Sequence, residues 1–396
     1  METNERQNGR TLDRTLGCVV GGAVGDALGY EVEFLSWSRI RHRFGPEGIR
    51  EYQLDSRGVA PFSDDTQMAL FTAAGILDGM TRGAMRGTVD RLDTYCRNSY
   101  LDWLHTQEWV GRKKDASVCT WLMDVPELYV RRAPGTTCMS ALRDCARGLV
   151  PQNDSCGCGG VMRTAPMALL SYIHGPADED SRNRSDMSAA EAARVTHKHP
   201  LGFFPSAILN HVLMEILDGK ADDPDLLPQV IEDSSAYLPG IRSEEDGGRT
   251  YGELWPKAVT TQQDLVQKAL DLAGTDIPDV AAIESIGGGW TGHEALAIAV
   301  YSAVKHRHSF EDALVSAVNH SGDSDSTGAV CGNIMGCLLG RKAIPDKFIG
   351  NLECLDVLEE IARDLWTGCI IGEYEERDTP EKQRWFEKYC LHHWER

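Results

Sequence analysis

Two stretches of the sequence place glycine at every fourth residue, and this spacing constrains the possible folds more than any other feature. One set lies near the start of the chain and the other near its end: Gly17, Gly21, Gly25, Gly29 and Gly328, Gly332, Gly336, Gly340. Residues four apart share one face of an α-helix, so each set predicts a helical stripe without side chains. Glycine costs about 1 kcal/mol relative to alanine inside a helix, so four in a row indicate close approach of another helix backbone. Two glycine-rich loops are the alternative.

Most of the remaining apolar segments also have helical character. Thr66–Leu77 and Glu294–Lys305 are apolar on nearly every face, which predicts two buried helices, and Phe310–Val318 continues in the same style. Alternating strand patterns are scarce, and no strand–helix–strand rhythm is present. The chain is therefore expected to be all-α, a compact bundle of many helices packed in more than one layer.

The polar segments between these helices are expected to be surface loops, too short to link separate domains. They are Gly175–Ser188, Lys220–Asp225 and Ser243–Arg249. The final segment, Glu373–Arg396, is charged, but its aromatic residues predict a terminal helix that docks one face on the body of the protein. These aromatics are Trp385, Phe386, Tyr389 and Trp394.

The charge balance limits the class of partner. Lysine and arginine number 40 and aspartate and glutamate 60, so the net charge is −20. This value argues against nucleic-acid binding and against docking on anionic membranes. The twelve cysteines are interpreted as thiols, because Met1–Arg14 is polar and the apolar stretch Leu16–Leu28 is short and interrupted by Asp26. We therefore expect a cytoplasmic monomer without membrane association.

Two adjacent acids introduce the helix expected at Thr66–Leu77. Ser63, Asp64 and Asp65 precede it, and taken alone they suit a helix N-terminus, with Ser63 or Asp64 as the capping residue. Paired acids that lead into an apolar helix are nevertheless difficult to explain as a solvated surface. Their mutual repulsion would be relieved by a bound cation.

A second acidic motif spans His320–Gly328. Asp323 and Asp325, with the hydroxyls that follow them, offer four or five oxygen atoms within one turn, which is the ligand type that hard divalent cations prefer. An EF-hand loop is excluded, because its twelfth position would be Ile334 instead of a bidentate glutamate. A metal site shared with a distant segment remains, and the first acidic motif can supply the other half.

Four further features give weaker evidence when each is taken alone. Glu33, after the first glycine stripe, can add a carboxylate to the cation cluster, with a surface acid as the alternative. The glycines in Cys156–Met162 expose backbone N–H groups that suit phosphate, although a plain tight turn fits equally. His197 and His199 lack a third zinc ligand, so a structural histidine is the competing interpretation. Trp290 follows three glycines in a loop suited to closing over a ring.

In their combination and order, these motifs resemble the ADP-ribosylglycohydrolase family, which includes dinitrogenase-reductase-activating glycohydrolases and animal ADP-ribosylhydrolases. The matching segments are Gly25–Glu33, Phe62–Leu70, Gly157–Pro166, Thr196–Pro200, Gly287–Trp290 and Asn319–Gly336. The resemblance implies the orthogonal helical bundle of that family as a single domain over residues 1–396. Its core would cover about residues 16–340, followed by a helical extension over about 341–396.

The resemblance also implies a centre of two magnesium or manganese ions at the base of an ADP-ribose cleft. The implied metal ligands are Ser63, Asp64, Asp65, Asp323, Asp325 and Ser326. The implied catalytic residues are Glu33, Asp64, Asp65 and Asp323. The implied substrate-binding residues are Cys156, Gly157, Cys158, Gly159, Gly160, Val161, Met162, His197 and Trp290. Two positions depart from the family: Ser63 stands where threonine is usual, and Cys158 where some animal members have asparagine.

The activity implied by the resemblance is metal-dependent hydrolysis at C1″ of ADP-ribose, which releases ADP-ribose from a modified protein. The reaction passes through an oxocarbenium-like state, with a water nucleophile and Glu33 as the nearby carboxylate. Arginine is the favoured acceptor. Serine- or other O-linked ADP-ribose, a non-catalytic ADP-ribose-binding relative and a different two-metal hydrolase, such as a phosphatase, are the alternatives.

Overall fold

The computed structural model describes residues 2–88, 91–108, 120–173, 179–237, 252–372 and 378–391, with side chains from residue 9 to residue 390 of these ranges. Helices form nearly all of the regular structure in them, and the only β-pairing described is two isolated bridges, Ala60–Leu352 and Gly157–Thr291. The all-α prediction is confirmed. In chain order the helices are α1 Glu2–Tyr30, α2 Trp37–Phe44, α3 Asp64–Arg86, α4 Leu92–Glu108, α5 Thr136–Ala146, α6 Ala165–Ile173, α7 Glu179–Arg194, α8 Pro200–Leu217, α9 Leu227–Ala236, α10 Leu254–Ala273, α11 Asp279–Ile286, α12 Gly292–Lys305, α13 Phe310–Val318, α14 Ser324–Leu339, α15 Asp346–Ile349, α16 Leu355–Thr367 and α17 Pro380–Phe386.

The two glycine stripes lie on α1 and α14 and pack against each other in antiparallel register. A Cβ atom added to Gly17, Gly21 or Gly25 would overlap the carbonyl oxygen of Gly336, Gly332 or Gly328, respectively. The two helix backbones therefore touch directly, which explains why glycine is required at these positions. At the far end Gly29 faces the carbonyl of Ser324, and Gly340 follows α14 with a φ of 84°, so that it ends the helix.

Helices α3, α8 and α12 form the apolar interior around this pair. Helix α3 is longer than predicted and runs on to Arg86, while α12 and α13 match the predicted helices closely. Helix α8 has the length and hydropathy of a membrane span, with a mean hydropathy of 1.3, but 89% of it is buried within the fold. Buried side chains from Cys18 to Cys390 form one continuous core in the described ranges.

The prediction of a surface loop over Gly175–Ser188 is wrong from Glu179 onward, because these residues begin α7. Several polar side chains of α7 pair with α8, whereas Glu179, Asp180 and Arg184 remain exposed. Asp186 accepts hydrogen bonds from Asn210 Nδ2 at 2.7 Å and His211 Nδ1 at 2.8 Å, both in the interior. A polar sequence can therefore form a packed helix when its partners lie on another helix.

The remaining predictions on loops and the chain end are largely met. Lys220–Asp225 forms turns that lead into a short 3₁₀ helix, whereas Ser243–Arg249 lies outside the described residues. Near the C-terminus, α17 and the π-helical turn Glu387–Leu391 bury three of the four aromatics; Trp394 lies outside the described residues. Trp385 Nε1 donates to Thr81 Oγ1 on α3 at 2.9 Å, which anchors the segment. All cysteines in the described ranges are free thiols.

Candidate active site and metal centre

The N-termini of α3 and α14 meet at the base of a cleft of about 370 Å³. Segments from five other parts of the chain complete its walls, which are lined by Glu33 and Phe34, residues 133–138, Gly157–Gly159 with Met162, His197, and Trp290. The volume lies within the range typical of small-molecule sites, about 300–1,000 Å³. Both helices direct the positive ends of their dipoles toward this base, which favours acidic side chains there.

The α3 side of the site begins with a capped helix. Ser63 Oγ accepts a hydrogen bond from Asp65 N at 3.2 Å, which confirms Ser63 as the capping residue, and Asp64 and Asp65 occupy the first turn. Asp64 and Asp65 are only 4% and 3% exposed. Adjacent charged residues are almost never buried in this way unless something compensates their charge.

Asp26 holds this helix start from beneath. Its carboxylate accepts hydrogen bonds from Ser63 N at 2.8 Å, from Thr66 N at 2.9 Å and from Thr66 Oγ1 at 2.5 Å. The residue lies on α1 and is completely buried. Sequence reasoning assigned Asp26 no role, although a single acid inside an apolar, glycine-rich helix was the available signal.

The α14 side has its own cap. Asp323 accepts from Ser326 N at 3.3 Å, and Asp325 accepts from the same N–H at 3.0 Å. Ser326 Oγ then donates to Asp65 Oδ2 at 2.8 Å, so a direct hydrogen bond joins the two helix starts. The two acidic motifs, 261 positions apart at this contact, form one cluster as the sequence predicted.

Glu33 completes the cluster from the turn that follows α1. Its side chain is 7% exposed, and its Oε2 atom has no hydrogen-bond partner among the described residues. Ligand atoms of Glu33, Asp323 and Asp325 lie within 4.8 Å of one another, as the donor atoms of one cation would. Burial excludes the alternative that Glu33 is a surface acid.

The carboxylates of this cluster resist ionisation. Burial, and then repulsion from Asp325, raise the pKa of Asp26 to about 7 and that of Glu33 to about 10. Burial also raises the pKa of Asp64, Asp65 and Asp323 well above the usual range. Within the described ranges no lysine or arginine forms an ion pair with these groups, since the neighbouring Arg132 pairs with Glu353. Carboxylate and hydroxyl oxygens without a protein counter-charge fit hard divalent cations.

The glycine-rich loop forms the wall opposite Glu33. Gly157 pairs with Thr291 in an isolated bridge, and Cys158 N donates to Trp290 O at 3.2 Å. A Cβ on Gly159 would lie 2.7 Å from His197 Cε1, so this glycine is needed for packing inside the loop. Gly157, Cys158, Gly159 and Met162 line the cleft. Cys156, Gly160 and Val161 are not among its lining residues, and Val161 is fully buried.

The two histidines of the Thr196–Pro200 segment have different positions. His197 lines the cleft, with Nδ1 2.9 Å from Thr196 Oγ1, and burial followed by repulsion from Arg163 lowers its pKa to about 3. His197 is therefore a neutral ring. His199 accepts from Leu201 N at 3.1 Å and caps α8, which is a structural role.

Two aromatic rings face each other at the mouth of the cleft. Phe34 and Trp290 stack with ring centroids 5.8 Å apart and an interplanar angle of 24°. They remain 69% and 45% exposed, unlike most large apolar side chains of the protein. Sequence reasoning selected Trp290 but missed Phe34, which no repeat or motif distinguishes from other aromatics.

Residues 133–138 form a wall that sequence reasoning also missed. Gly135 N donates to Asp64 Oδ2 at 3.2 Å, so this wall supports the α3 carboxylates. Ala133 has a φ of 50°, in the left-handed region that few alanines adopt. The Pro134–Gly135 pair was the available signal, because it marks a sharp turn.

The fold and the site define a helical protein with buried carboxylates at the base of a ligand-sized cleft. A model of the ADP-ribosylglycohydrolase family matches residues 7–373, so the chain belongs to that family, and the predicted resemblance is confirmed. The class of activity that follows is ADP-ribosyl hydrolysis.

Individual relatives are more distant. An uncharacterized protein of Archaeoglobus fulgidus is 26% identical over 346 residues, which cover 86% of this chain and 91% of the relative. ADP-ribosylhydrolase ARH1 of Dictyostelium discoideum is 25% identical over 240 residues, which cover 53% of this chain and 60% of that protein. A solved structure described as an ADP-ribosylglycohydrolase-related protein complex shares the fold, with a TM-score of 0.61 and 23% identity over 91% of this chain and all of that one.

Proposed function

We propose that this protein removes ADP-ribose from arginine side chains of modified proteins by hydrolysing the bond at C1″, with two divalent cations, magnesium or manganese, in its site. The observation that carries the proposal is the cluster of buried carboxylates at the base of the cleft. They come from three separate segments and have no cationic partner among the described residues. Family membership supplies the class of reaction.

The proposed metal ligands come from both helix starts. They are Ser63, Asp64, Asp65, Asp323, Asp325 and Ser326, and all are buried. When bound, the cations would hold the ribose hydroxyls and increase the nucleophilicity of a water molecule. The raised pKa values support this assignment, because binding a cation would compensate charges that the protein itself leaves unpaired.

The glycine-rich loop and His197 are proposed to bind the ADP-ribose moiety. Gly157 and Gly159 present backbone to the cleft without side chains, which allows a diphosphate to approach closely. The neutral His197 ring can exchange hydrogen bonds with ribose hydroxyls without placing a positive charge near the reacting carbon.

Glu33 is proposed to take the proton of the attacking water. Its Oε2 atom has no hydrogen-bond partner among the described residues, and the residue lines the cleft close to Asp323 and Asp325. Burial alone would keep Glu33 protonated, but a neighbouring cation opposes that effect and favours the basic carboxylate. The assignment therefore makes the basicity of Glu33 depend on the metal.

Arginine is the proposed acceptor because of the aromatic pair. A guanidinium is planar and cationic, so it stacks on aromatic faces and pairs with carboxylates. The exposed faces of Phe34 and Trp290 lie at the mouth of the cleft, and Phe34 directly follows Glu33. A serine acceptor offers neither charge nor planarity to these groups.

The test is a comparison of arginine-, serine- and nucleic-acid-linked ADP-ribose substrates with magnesium present, read by mass spectrometry. We expect release of intact ADP-ribose from the arginine-linked substrate and slower release from the others. Glu33→Gln should lower turnover by about 10²–10⁴-fold, the usual contribution of general acid–base catalysis, with ADP-ribose affinity changed only a few-fold. Glu31→Gln is the matched control, because Glu31 pairs with Arg43 on the surface.

Three outcomes would contradict parts of the proposal. Fastest release from the serine-linked substrate would overturn the arginine assignment alone. Release of AMP or phosphate would indicate a different two-metal hydrolase. Wild-type turnover of Glu33→Gln would remove the role of Glu33 as the base.

A further inference from the structure

A thiol lies beside the carboxylate cluster. Cys158 Sγ is 2.8 Å from Asp323 Oδ2, and both residues line the cleft. The contact is a hydrogen bond from the thiol to one of the proposed metal ligands. It places a sulfur atom at a centre whose other donors are all oxygen atoms.

The backbone fixes the position of this thiol. Cys158 N donates to Trp290 O at 3.2 Å, and Cys158 O accepts from Met162 N at 3.3 Å. The residue is therefore held at both its N–H and its carbonyl. Its side chain has Asp323 and Ser326, two of the proposed metal ligands, as polar neighbours.

A second cysteine in the same cleft has a different environment. Cys138 Sγ lies 3.4 Å from Arg163 Nη1 and 4.0 Å from Gly159 O, and the side chain is fully buried. Its sulfur therefore contacts a guanidinium instead of the carboxylates. The comparison shows that proximity to the centre is a property of Cys158 and not of every thiol in the cleft.

An independent observation also indicates an incomplete coordination sphere. Glu33 Oε2 is buried and lacks a hydrogen-bond partner among the described residues, and ligand atoms of Glu33, Asp323 and Asp325 lie within 4.8 Å of one another. The thiol and this carboxylate thus both lie near Asp323. A cation placed there has soft as well as hard donors available.

We propose that Cys158 is an additional ligand of the metal centre and lets it bind thiophilic cations such as cobalt, zinc or cadmium more tightly than its oxygen donors alone would allow. This inference rests on the proposed function, because it requires the metal site. On binding, the Sγ–H bond breaks, the proton passes to solvent and the sulfur donates an electron pair to the cation. Thiolates select borderline and soft metals, whereas magnesium prefers oxygen.

The contact between the thiol and the carboxylate would have to widen for shared coordination. Zinc binds sulfur at about 2.3 Å and carboxylate oxygen at about 2.1 Å, so two such ligands at the tetrahedral angle that zinc prefers lie about 3.6 Å apart. The observed separation of 2.8 Å between Cys158 Sγ and Asp323 Oδ2 is shorter than this. A shift of about 0.8 Å, shared between the two side chains as the thiol proton leaves, would admit the cation.

The experiment is a titration of the metal-free full-length protein with cobalt(II), followed by calorimetry and near-ultraviolet absorption. The variants are Cys158→Ser, Cys158→Ala and the matched control Cys138→Ser. We expect a thiolate-to-cobalt charge-transfer band in the wild type and in Cys138→Ser, and no such band in either Cys158 variant. Cadmium affinity should fall by more than about tenfold in the Cys158 variants, while magnesium affinity stays within about twofold.

The outcomes separate this inference from the proposed function. Cobalt binding by calorimetry without a charge-transfer band in the wild type would overturn the thiol ligand and leave the carboxylate metal site standing. A band that persists in Cys158→Ser and Cys158→Ala would assign the thiolate to another cysteine. If neither cobalt nor magnesium binds to the wild type, both the proposed metal site and the proposed thiol ligand are contradicted.

Discussion

The two helix starts that form the site are held in place by different kinds of contact. Helix α14 is positioned by its backbone, because its glycine stripe lies directly against the stripe of α1. Helix α3 is positioned by hydrogen bonds at its first turn, chiefly those that Ser63 and Thr66 donate to Asp26. Both arrangements use the same helix, α1, as the support.

The difference affects how substitutions destabilise each half of the site. Backbone contact leaves no room for a side chain, so any added Cβ on the α14 side must push two helices apart. A hydrogen-bonded support can lose one bond at a time, at about 0.5–1.5 kcal/mol each. A single substitution on the α14 stripe should therefore cause a large loss of stability. Substitutions at the start of α3 should each cause a smaller loss.

The largest effect is expected for Gly332→Leu on the glycine stripe of α14. The new side chain would overlap the carbonyl of Gly21, so we expect a loss of more than about 3 kcal/mol in the free energy of unfolding, or failure to fold. Gly9→Ala on α1 is the control, because nothing lies within 4 Å of a Cβ there, and it should stabilise the helix by about 1 kcal/mol. Chemical denaturation measures both.

A substitution at the start of α3 provides the comparison with Gly332→Leu. Thr66→Val keeps the shape of the side chain and removes only the hydrogen bond to Asp26, which should cost about 1–3 kcal/mol. Equal losses of stability in Gly332→Leu and Thr66→Val would show that the two halves are not supported differently.

The second prediction compares the acids of the two halves. Asp65→Asn and Asp323→Asn should each lower turnover by at least about 100-fold and weaken magnesium binding, because each removes one charged ligand. The metal-free proteins should be as stable as the wild type or more stable, since each substitution removes a buried, unpaired carboxylate. Thermal unfolding with and without magnesium tests this, and an unchanged magnesium affinity in both variants would contradict the shared site.

The sequence predicted the parts of the molecule that follow a periodic or repeated pattern. The glycine spacing indicated that another helix backbone lies close to each stripe, because backbone contact leaves a regular trace in the sequence, and the structure shows that the two stripes are each other's partner. The two acidic motifs were found because several oxygen donors lie close together in the chain. In each case neighbouring residues carried the signal.

The rest depends on partners that are distant in the chain. Asp26 supports the start of α3 and Phe34 stacks on Trp290, and an isolated residue of this kind forms no pattern in the sequence. Helix α7 was misjudged because several of its polar residues find partners on α8. The packing of Gly159 against His197 depends on how two loops meet, which the local sequence does not show.

The third prediction is a pH dependence that arises only without metal. Asp26 and Glu33 have folded-state pKa values of about 7 and about 10. Unfolded carboxyls titrate near pH 4, so above that pH the folded state binds more protons than the unfolded state, and stability falls as pH rises. Denaturation of chelator-treated protein should show decreasing stability from pH 5 to pH 8, and magnesium should remove most of this slope.

Substitutions assign the slope to the two carboxyls. Asp26→Asn should reduce the slope between about pH 4 and 7, and Glu33→Gln should reduce it over the whole range from about pH 4 upward. A metal-free protein that becomes more stable as the pH rises from 5 to 8 would contradict this prediction. It would show that other groups of the protein balance the negative charges of these carboxylates.

The smallest effect concerns the hydrogen bond that joins the two halves. Ser326 Oγ donates to Asp65 Oδ2 and is itself a proposed metal ligand, so Ser326→Ala should cost about 1 kcal/mol of stability and weaken magnesium binding by about tenfold, because the centre loses a hydroxyl oxygen and Asp65 loses its orientation. Ser63→Thr is the control, because threonine keeps the hydroxyl that caps α3 and should leave both quantities nearly unchanged. Denaturant titration gives the stability, and calorimetry gives the affinity. If Ser326→Ala lowers stability but not magnesium affinity, Ser326 is neither a metal ligand nor needed to orient Asp65, and its hydrogen bond serves only to join the two helix starts.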